Sequence, residues 1–328
     1  MIILAIILLV VALVLGSYTY LKYTGAKDIK PNLTEVSEDY QETIEYKGHT
    51  YKYNDDLLTM AFLGIDQEDM KTSDETDFVG AADADIVLVV DTKTGKSSAI
   101  AIPRDTMVDV DVYSQSGIFL RTQNTQLCLA YAYGDGGTQS CKNSVNAISR
   151  VLYSVPIQKY FALDLAGVPA LNDAIGGVTV TSIYDLPTYG IKVGDKVTLK
   201  GDVAKAYVRT RDMDHVDASL NRVDRQVQYI KAYSQQLVPA VIKDFGTVSR
   251  LYQTATGYSQ TNLTLNNATY LASLLLSKGI TNFETYTISG TMEAEPDEEI
   301  ANLAHAQFYP DEDDLMQTVL DVFYTQID

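Results

Sequence analysis

Leu57-Leu58-Thr59-Met60-Ala61-Phe62-Leu63-Gly64-Ile65-Asp66 is a short apolar run closed by a glycine and a carboxylate. Its length and end signals predict a buried strand that presents Asp66 at its C-terminal tip, where ligands sit in α/β sheets. Two similar runs follow. Ile86 to Val90 comes after Ala82-Asp83-Ala84-Asp85, which sets carboxylates at the start of a strand. Ser98 to Ile102 leads into Pro103-Arg104-Asp105-Thr106-Met107, which sets an arginine just past a strand end. Ordinary loop polarity explains any one of these charged ends; it explains all three less well. The pattern then alternates. Asn124 to Tyr133 and Ser144 to Tyr153 have helical spacing around the loop Gly134-Asp135-Gly136-Gly137. Tyr160 to Leu165 reads as a strand, Val168 to Ile175 as a helix stopped by Gly176-Gly177, and Val178 to Thr181 as a strand. The expected class is α/β, a central mixed β-sheet flanked by helices in an α/β/α sandwich.

Upstream, Met1 to Leu15 is an unbroken apolar run that Gly16 to Leu21 extends, long enough to cross the roughly 30 Å hydrocarbon core of a bilayer once. It lacks the basic leader and small-residue cleavage site of a secretory signal, so residues 1–21 are expected to be an uncleaved transmembrane anchor. Residues 22–56 are polar and charged, a membrane-proximal spacer in which His49 to Tyr53 suggests a hairpin strand. The main domain spans 57–240, and 241–328 reads as a mixed C-terminal extension packed on it. There Asn266 to Ser277 and Asp313 to Tyr324 are expected helices and Phe283 to Ile288 a strand. Gln226 to Ile242 reads as a long helix that Pro239 is expected to end early.

Between these parts lies VAKAYVRTRDMDHVDASLNRVDRQ, Val203 to Gln226, with Arg209, Arg211, Arg222 and Arg225 close together. The chain is otherwise acidic, with 25 Lys+Arg against 43 Asp+Glu and a net charge of -18. A cation cluster in that background suggests a local anion. In an extended segment Arg209 and Arg211 point to one side, and guanidinium forks bind phosphate oxygens in pairs. Salt bridges to Asp212, Asp214, Asp217 and Asp224 are the plainer alternative. The same net charge argues against nucleic acid as a partner. Cys128 and Cys141 bracket the glycine-rich loop; in an exported protein they read as a disulfide worth about 3 kcal/mol, with two buried free thiols as the alternative.

Taken in order, Phe62-Leu63-Gly64-Ile65-Asp66, Ala82-Asp83, Ile102-Pro103-Arg104-Asp105-Thr106, Ala130-Tyr131-Ala132-Tyr133-Gly134, Ile175-Gly176-Gly177-Val178, Val208-Arg209-Thr210-Arg211-Asp212 and Arg222 through Arg225-Gln226 resemble the LytR-CpsA-Psr family of cell-wall glycopolymer ligases. That resemblance implies an enzyme that moves the sugar-phosphate of a polyprenyl-pyrophosphate-linked glycopolymer, such as a teichoic acid or capsule, to a peptidoglycan hydroxyl. It implies Mg²⁺ (or Mn²⁺) held by Asp66 and Asp83, with Asp83 also the proton acceptor. Arg104, Arg209 and Arg211 would act on the phosphates, and Arg222, Arg225, Gln226 and Arg121 would bind substrate. Leu127 to Tyr133 is expected either to line a slot for the lipid or to pack in the core. The protein would sit in the cell membrane by a single pass with its catalytic domain outside. A pyrophosphatase on the same carrier, or a catalytically weak envelope protein, are the alternatives. One departure is plain: Ala81 stands where many relatives have an arginine two residues before the second aspartate.

Overall fold

A computed structural model of the chain describes residues 18–28, 39–70, 79–114, 116–210, 218–278, 281–296 and 304–328. Helix α1 covers residues 18–28. Strands β1 (Thr43–Tyr46), β2 (His49–Tyr53), β3 (Leu57–Ile65), β4 (Ala82–Asp91), β5 (Lys96–Ile102), β6 (Met107–Tyr113) and β7 (Phe119–Gln126) follow. Then come α2 (Leu129–Ala132), α3 (Thr138–Val151), β8 (Lys159–Leu163), α4 (Gly167–Ala174), β9 (Val178–Thr181), β10 (Lys196–Leu199), α5 (Asp202–Arg209) and α6 (Ala218–Lys243). The chain ends with α7 (Gly246–Tyr258), β11 (Ser259–Thr261), α8 (Leu265–Lys278), β12 (Thr281–Thr287), β13 (Gly290–Pro296), β14 (Ala304–Pro310), α9 (Glu312–Phe323) and β15 (Tyr324–Gln326).

The central sheet has six strands in the order β11-β8-β3-β4-β5-β12. It is mixed: β3 is parallel to β8 and β12 to β5, whereas β4 is antiparallel to both of its neighbours. The run that predicted the fold behaves as its period dictates. Successive side chains leave a strand on opposite faces. Ala61, Leu63, Val87 and Val89 therefore pack with Ala147, Ile148, Leu320 and Phe323 of α3 and α9, while Phe62, Ile86 and Leu88 pack with Val223 and Val227 of α6. Gly64 lets β3 approach β4 closely, since a Cβ there would lie 3.0 Å from that of Ala84.

Three local expectations are corrected. Asn124 to Gln126 is strand, because β6 and β7 pair across a tight turn with Met107 opposite Gln126; only Leu129 to Ala132 is helical, and α3 starts at Thr138. Pro239 lies inside α6, where Leu237 and Val241 on either side are held in a cluster with Val248 and Ala272, so packing overrides the local break. Both edges of the central sheet, β11 and β12, come from beyond residue 240, and β15 pairs with β2, so the segment after residue 240 completes the sandwich it was expected to lean on.

No helix among the described residues is long and apolar enough to cross a membrane; the expected anchor falls mostly on residues 1–17, outside the described residues. Helix α1 is fixed to the domain. A Cβ on Gly25 would meet the Asn266 carbonyl oxygen at 2.1 Å, so only glycine allows this approach to α8. Asn267 Nδ2 donates to the Gly25 carbonyl at 3.3 Å, and Lys159 pairs with Asp28 at 3.3 Å.

Candidate functional site

Because β4 runs against both neighbours, the C-terminal ends of β3 and β5 and the start of β4 meet at one edge of the sheet. Asp66, Asp83 and Arg104 are brought to that edge by topology alone. Helix α6 then delivers Arg222 from the other side. Asp83 is clamped between the two arginines: Arg104 Nη1 donates to Oδ1, and Arg222 Nη1 donates to Oδ2 at 2.8 Å. The Arg104 Nε makes an ion pair with Asp105 at 3.4 Å, whereas Arg222 is only 3% exposed and its Nε is buried without a partner. Such donors are rare in folded proteins and mark a place where an acceptor is missing. Arg209, the last residue of α5, reaches Asp66 at 3.4 Å, with both side chains about half exposed.

Asp85, two residues beyond Asp83 on β4, is 1% exposed, and neither carboxyl oxygen has a partner. Burial pushes its carboxyl well above the usual carboxylate range, opposed by the pull of Arg104 and reinforced by the charge on Asp83.

Behind this edge an apolar cavity of about 460 Å³ runs between the sheet and helices α6, α7 and α8. Asp66, Asp83, Arg209, Arg222 and Gln226 form its polar end, and Leu58, Leu88, Leu237, Val241, Leu251 and Leu274 are among the side chains lining the remainder. The expected slot around Leu127 to Tyr133 is not this cavity: Leu127, Ala130 and Tyr131 are fully buried in the opposite core layer with α3. The sequence missed the true walls because they come from a sheet face and three helices far apart in the chain.

Other expected site residues separate into distinct roles. Arg225 is 1% exposed and binds protein, not solvent: Nη1 donates to the Tyr207 carbonyl at 2.8 Å, Nη2 to that of Thr210, and the guanidinium stacks 4.0 Å from the Tyr184 ring centre. Gln226 Nε2 donates to the Val208 carbonyl at 3.3 Å. Together they cap the C-terminal end of α5, where a cation is favoured by the helix dipole, and so keep Arg209 helical where an extended segment was expected. Arg211 lies outside the described residues. Arg121 stands on the exposed face of the β6-β7 hairpin, bonded to Gln123 at 2.9 Å, and does not line the cavity.

The expected disulfide is corrected as well. Cys128 and Cys141 are free and buried. Cys128 follows β7 and accepts from Arg104 Nη2 at 3.2 Å, whereas Cys141 lies on α3 in the core layer. Burial pushes both thiols up to about 12, so neither is a thiolate near neutrality.

For a divalent ion the donor set is oxygen from Asp66 and Asp83, both at the cavity mouth, which suits Mg²⁺ when substrate oxygens complete the shell. No group of three or more His, Cys, Asp or Glu side chains converges on a metal position among the described residues, so such an ion would depend on those substrate oxygens.

Comparison with known proteins adds to this geometry. The profile of the LytR_cpsA_psr family matches residues 18–318. The chain is similar to the polyisoprenyl-teichoic acid–peptidoglycan teichoic acid transferase TagU of Bacillus subtilis (strain 168), 25% identical over 265 residues, covering 80% of this chain and 78% of that one. Its fold resembles the crystal structure of B. subtilis TagV, with a TM-score of 0.63 at 22% identity, covering 81% of this chain and 97% of that chain. It also resembles the structure of TagT bound to LI-WTA, with a TM-score of 0.59 at 20% identity, covering 81% and 89%.

Proposed function

The chain belongs to the LytR-CpsA-Psr family, and on that premise we propose that it is a glycopolymer–peptidoglycan phosphotransferase whose donor is a polyprenyl-pyrophosphate-linked polymer. The observation that carries the reading is a buried arginine, Arg222, with an unused Nε donor, set with Arg209 at the polar end of an apolar cavity and joined to Arg104 through Asp83. A ligand with a diphosphate head and a hydrocarbon tail satisfies both parts at once. TagU and TagV are named as teichoic acid transferases, which supports the same substrate class.

In this reading the tail lies among Leu237, Val241, Leu251 and Leu274, out of water. Arg104 and Arg222, with Arg209 at the rim, neutralise the diphosphate. The peptidoglycan hydroxyl attacks the phosphorus that carries the sugar, the bond to the lipid-side phosphate oxygen breaks, and a lipid monophosphate leaves. Asp83 takes the hydroxyl proton. Asp66 and Asp83 would hold Mg²⁺ (or Mn²⁺), which offsets phosphate charge when bound. The body would stand outside the cell membrane on its N-terminal anchor, so that the mouth of the cavity is within reach of lipid.

The test is product analysis with a lipid-diphosphate-linked oligosaccharide, with and without peptidoglycan. Polymer covalently joined to peptidoglycan together with lipid monophosphate is expected, and chelation of divalent ions should stop it. Release of phosphorylated sugar into water at the same rate without peptidoglycan would replace transfer by hydrolysis. Ser234 lines the cavity on the same stripe of α6 as Ile230, Leu237 and Val241. Ser234→Phe should therefore lower transfer from the lipid-linked donor about a hundredfold by displacing tail contacts, leaving affinity for inorganic pyrophosphate unchanged.

A further inference from the structure

Asp83 is bonded in a way that suits neither a metal ligand nor a proton acceptor. Both carboxylate oxygens face guanidinium groups, and Arg222 Nη2 also reaches its main-chain oxygen at 3.3 Å. A carboxylate gripped on both oxygens by two forks presents the same pair of acceptors that a phosphate would. We infer that Asp83 is an internal anion occupying Arg104 and Arg222 in place of substrate phosphate, and that donor binding is an exchange in which phosphate takes both guanidinium groups and releases the carboxylate. This inference rests on the reading of the cavity as a lipid-diphosphate site.

Three observations carry it. Arg222 is nearly completely buried and has no carboxylate partner but Asp83 among the described residues, while the 19% exposed Arg104 also pairs with Asp105, so without a counter-ion at this position Arg222 would be left uncompensated away from water. Asp83 supplies that counter-ion, yet its two oxygens leave the Nε of Arg222 unused, whereas a phosphate group brings more acceptor oxygens to the same guanidinium groups. Finally, Asp83 and Arg222 both border the cavity, so the incoming group meets the ion pair directly.

The exchange couples binding to chemistry. While Asp83 is clamped, it has no free oxygen directed at an acceptor hydroxyl or a cation. Once phosphate has displaced it, the carboxylate is free for either. The arrangement also lowers affinity for diphosphates, because each must compete with a tethered anion.

Titration calorimetry of the full chain in detergent with inorganic pyrophosphate, in the presence of EDTA, tests this on wild type, Asp83→Ala, Asp83→Asn and Arg222→Ala. Asp83→Ala should bind pyrophosphate about tenfold or more tightly than wild type, Asp83→Asn should lie between, and Arg222→Ala should lose binding. Asp83→Asn keeps the side-chain shape and carries the test if the alanine variant does not fold. Equal affinities for wild type and both Asp83 variants, with loss in Arg222→Ala, would overturn the exchange while leaving the anion site standing. No binding by any of the proteins would overturn the site reading, and the exchange with it.

Discussion

Arg222→Ala is expected to lower kcat/KM for transfer about a thousandfold while the protein remains folded. Arg222 is the most deeply buried cation bordering the cavity, and it is the only one of the described arginines to contact both the carboxylate and the main chain of Asp83. Its charge holds the diphosphate in the ground state and matters further when negative charge grows on the bridging oxygen, so the loss should appear both as a raised KM and as a lowered kcat. The fold tolerates the change because Asp83 keeps its bond to Arg104 and is not left unpaired. Arg222→Lys restores the charge without the fork, and a partial recovery of about tenfold is expected. Thermal unfolding beside steady-state kinetics checks both halves. A variant retaining activity to within tenfold would remove Arg222 from the reacting centre.

Arg225→Ala should destabilise the fold by about 3 kcal/mol, and Arg225→Lys should rescue little of it. The side chain binds the carbonyls of Tyr207 and Thr210 and stacks on Tyr184, all at the junction of α5 with α6. Its removal leaves those acceptors unpaired in a buried place, and a lysine ammonium cannot reach them in the same plane. Burial lowers the affinity of the guanidinium for its proton, but an arginine stays charged in a protein, so the carbonyl dipoles and the Tyr184 ring must do the compensating. Urea unfolding measures the loss, and activity per folded molecule should fall far less than in Arg222→Ala. A stable but inactive Arg225→Ala protein would return this residue to the substrate-binding role that its position in the sequence suggested.

These two arginines are three residues apart, and nothing local distinguishes them. Arg222 and Arg225 lie on neighbouring positions of one helix, and which of them meets substrate depends on what packs against that helix: β4 on one side, the end of α5 on the other. The same limit applies to Cys128 and Cys141. A pair around a glycine-rich loop reads as a bridge, but one thiol is taken up beneath Arg104 and the other in the α3 core layer.

The sequence by itself determined the elements and the meeting of Asp66, Asp83 and Arg104. Period-two hydrophobicity marks strands wherever they lie, and charged residues at strand ends gather at one edge whenever adjacent strands run in opposite directions. It also determined the family, through an ordered set of short motifs. Only the tertiary structure decided which arginines bordered the apolar cavity, where that cavity ran, and that the segment after residue 240 closed both edges of the sheet. Those properties come from surfaces contributed by segments far apart in the chain, and the energy that fixes them is burial and ion pairing across elements, which no local pattern encodes.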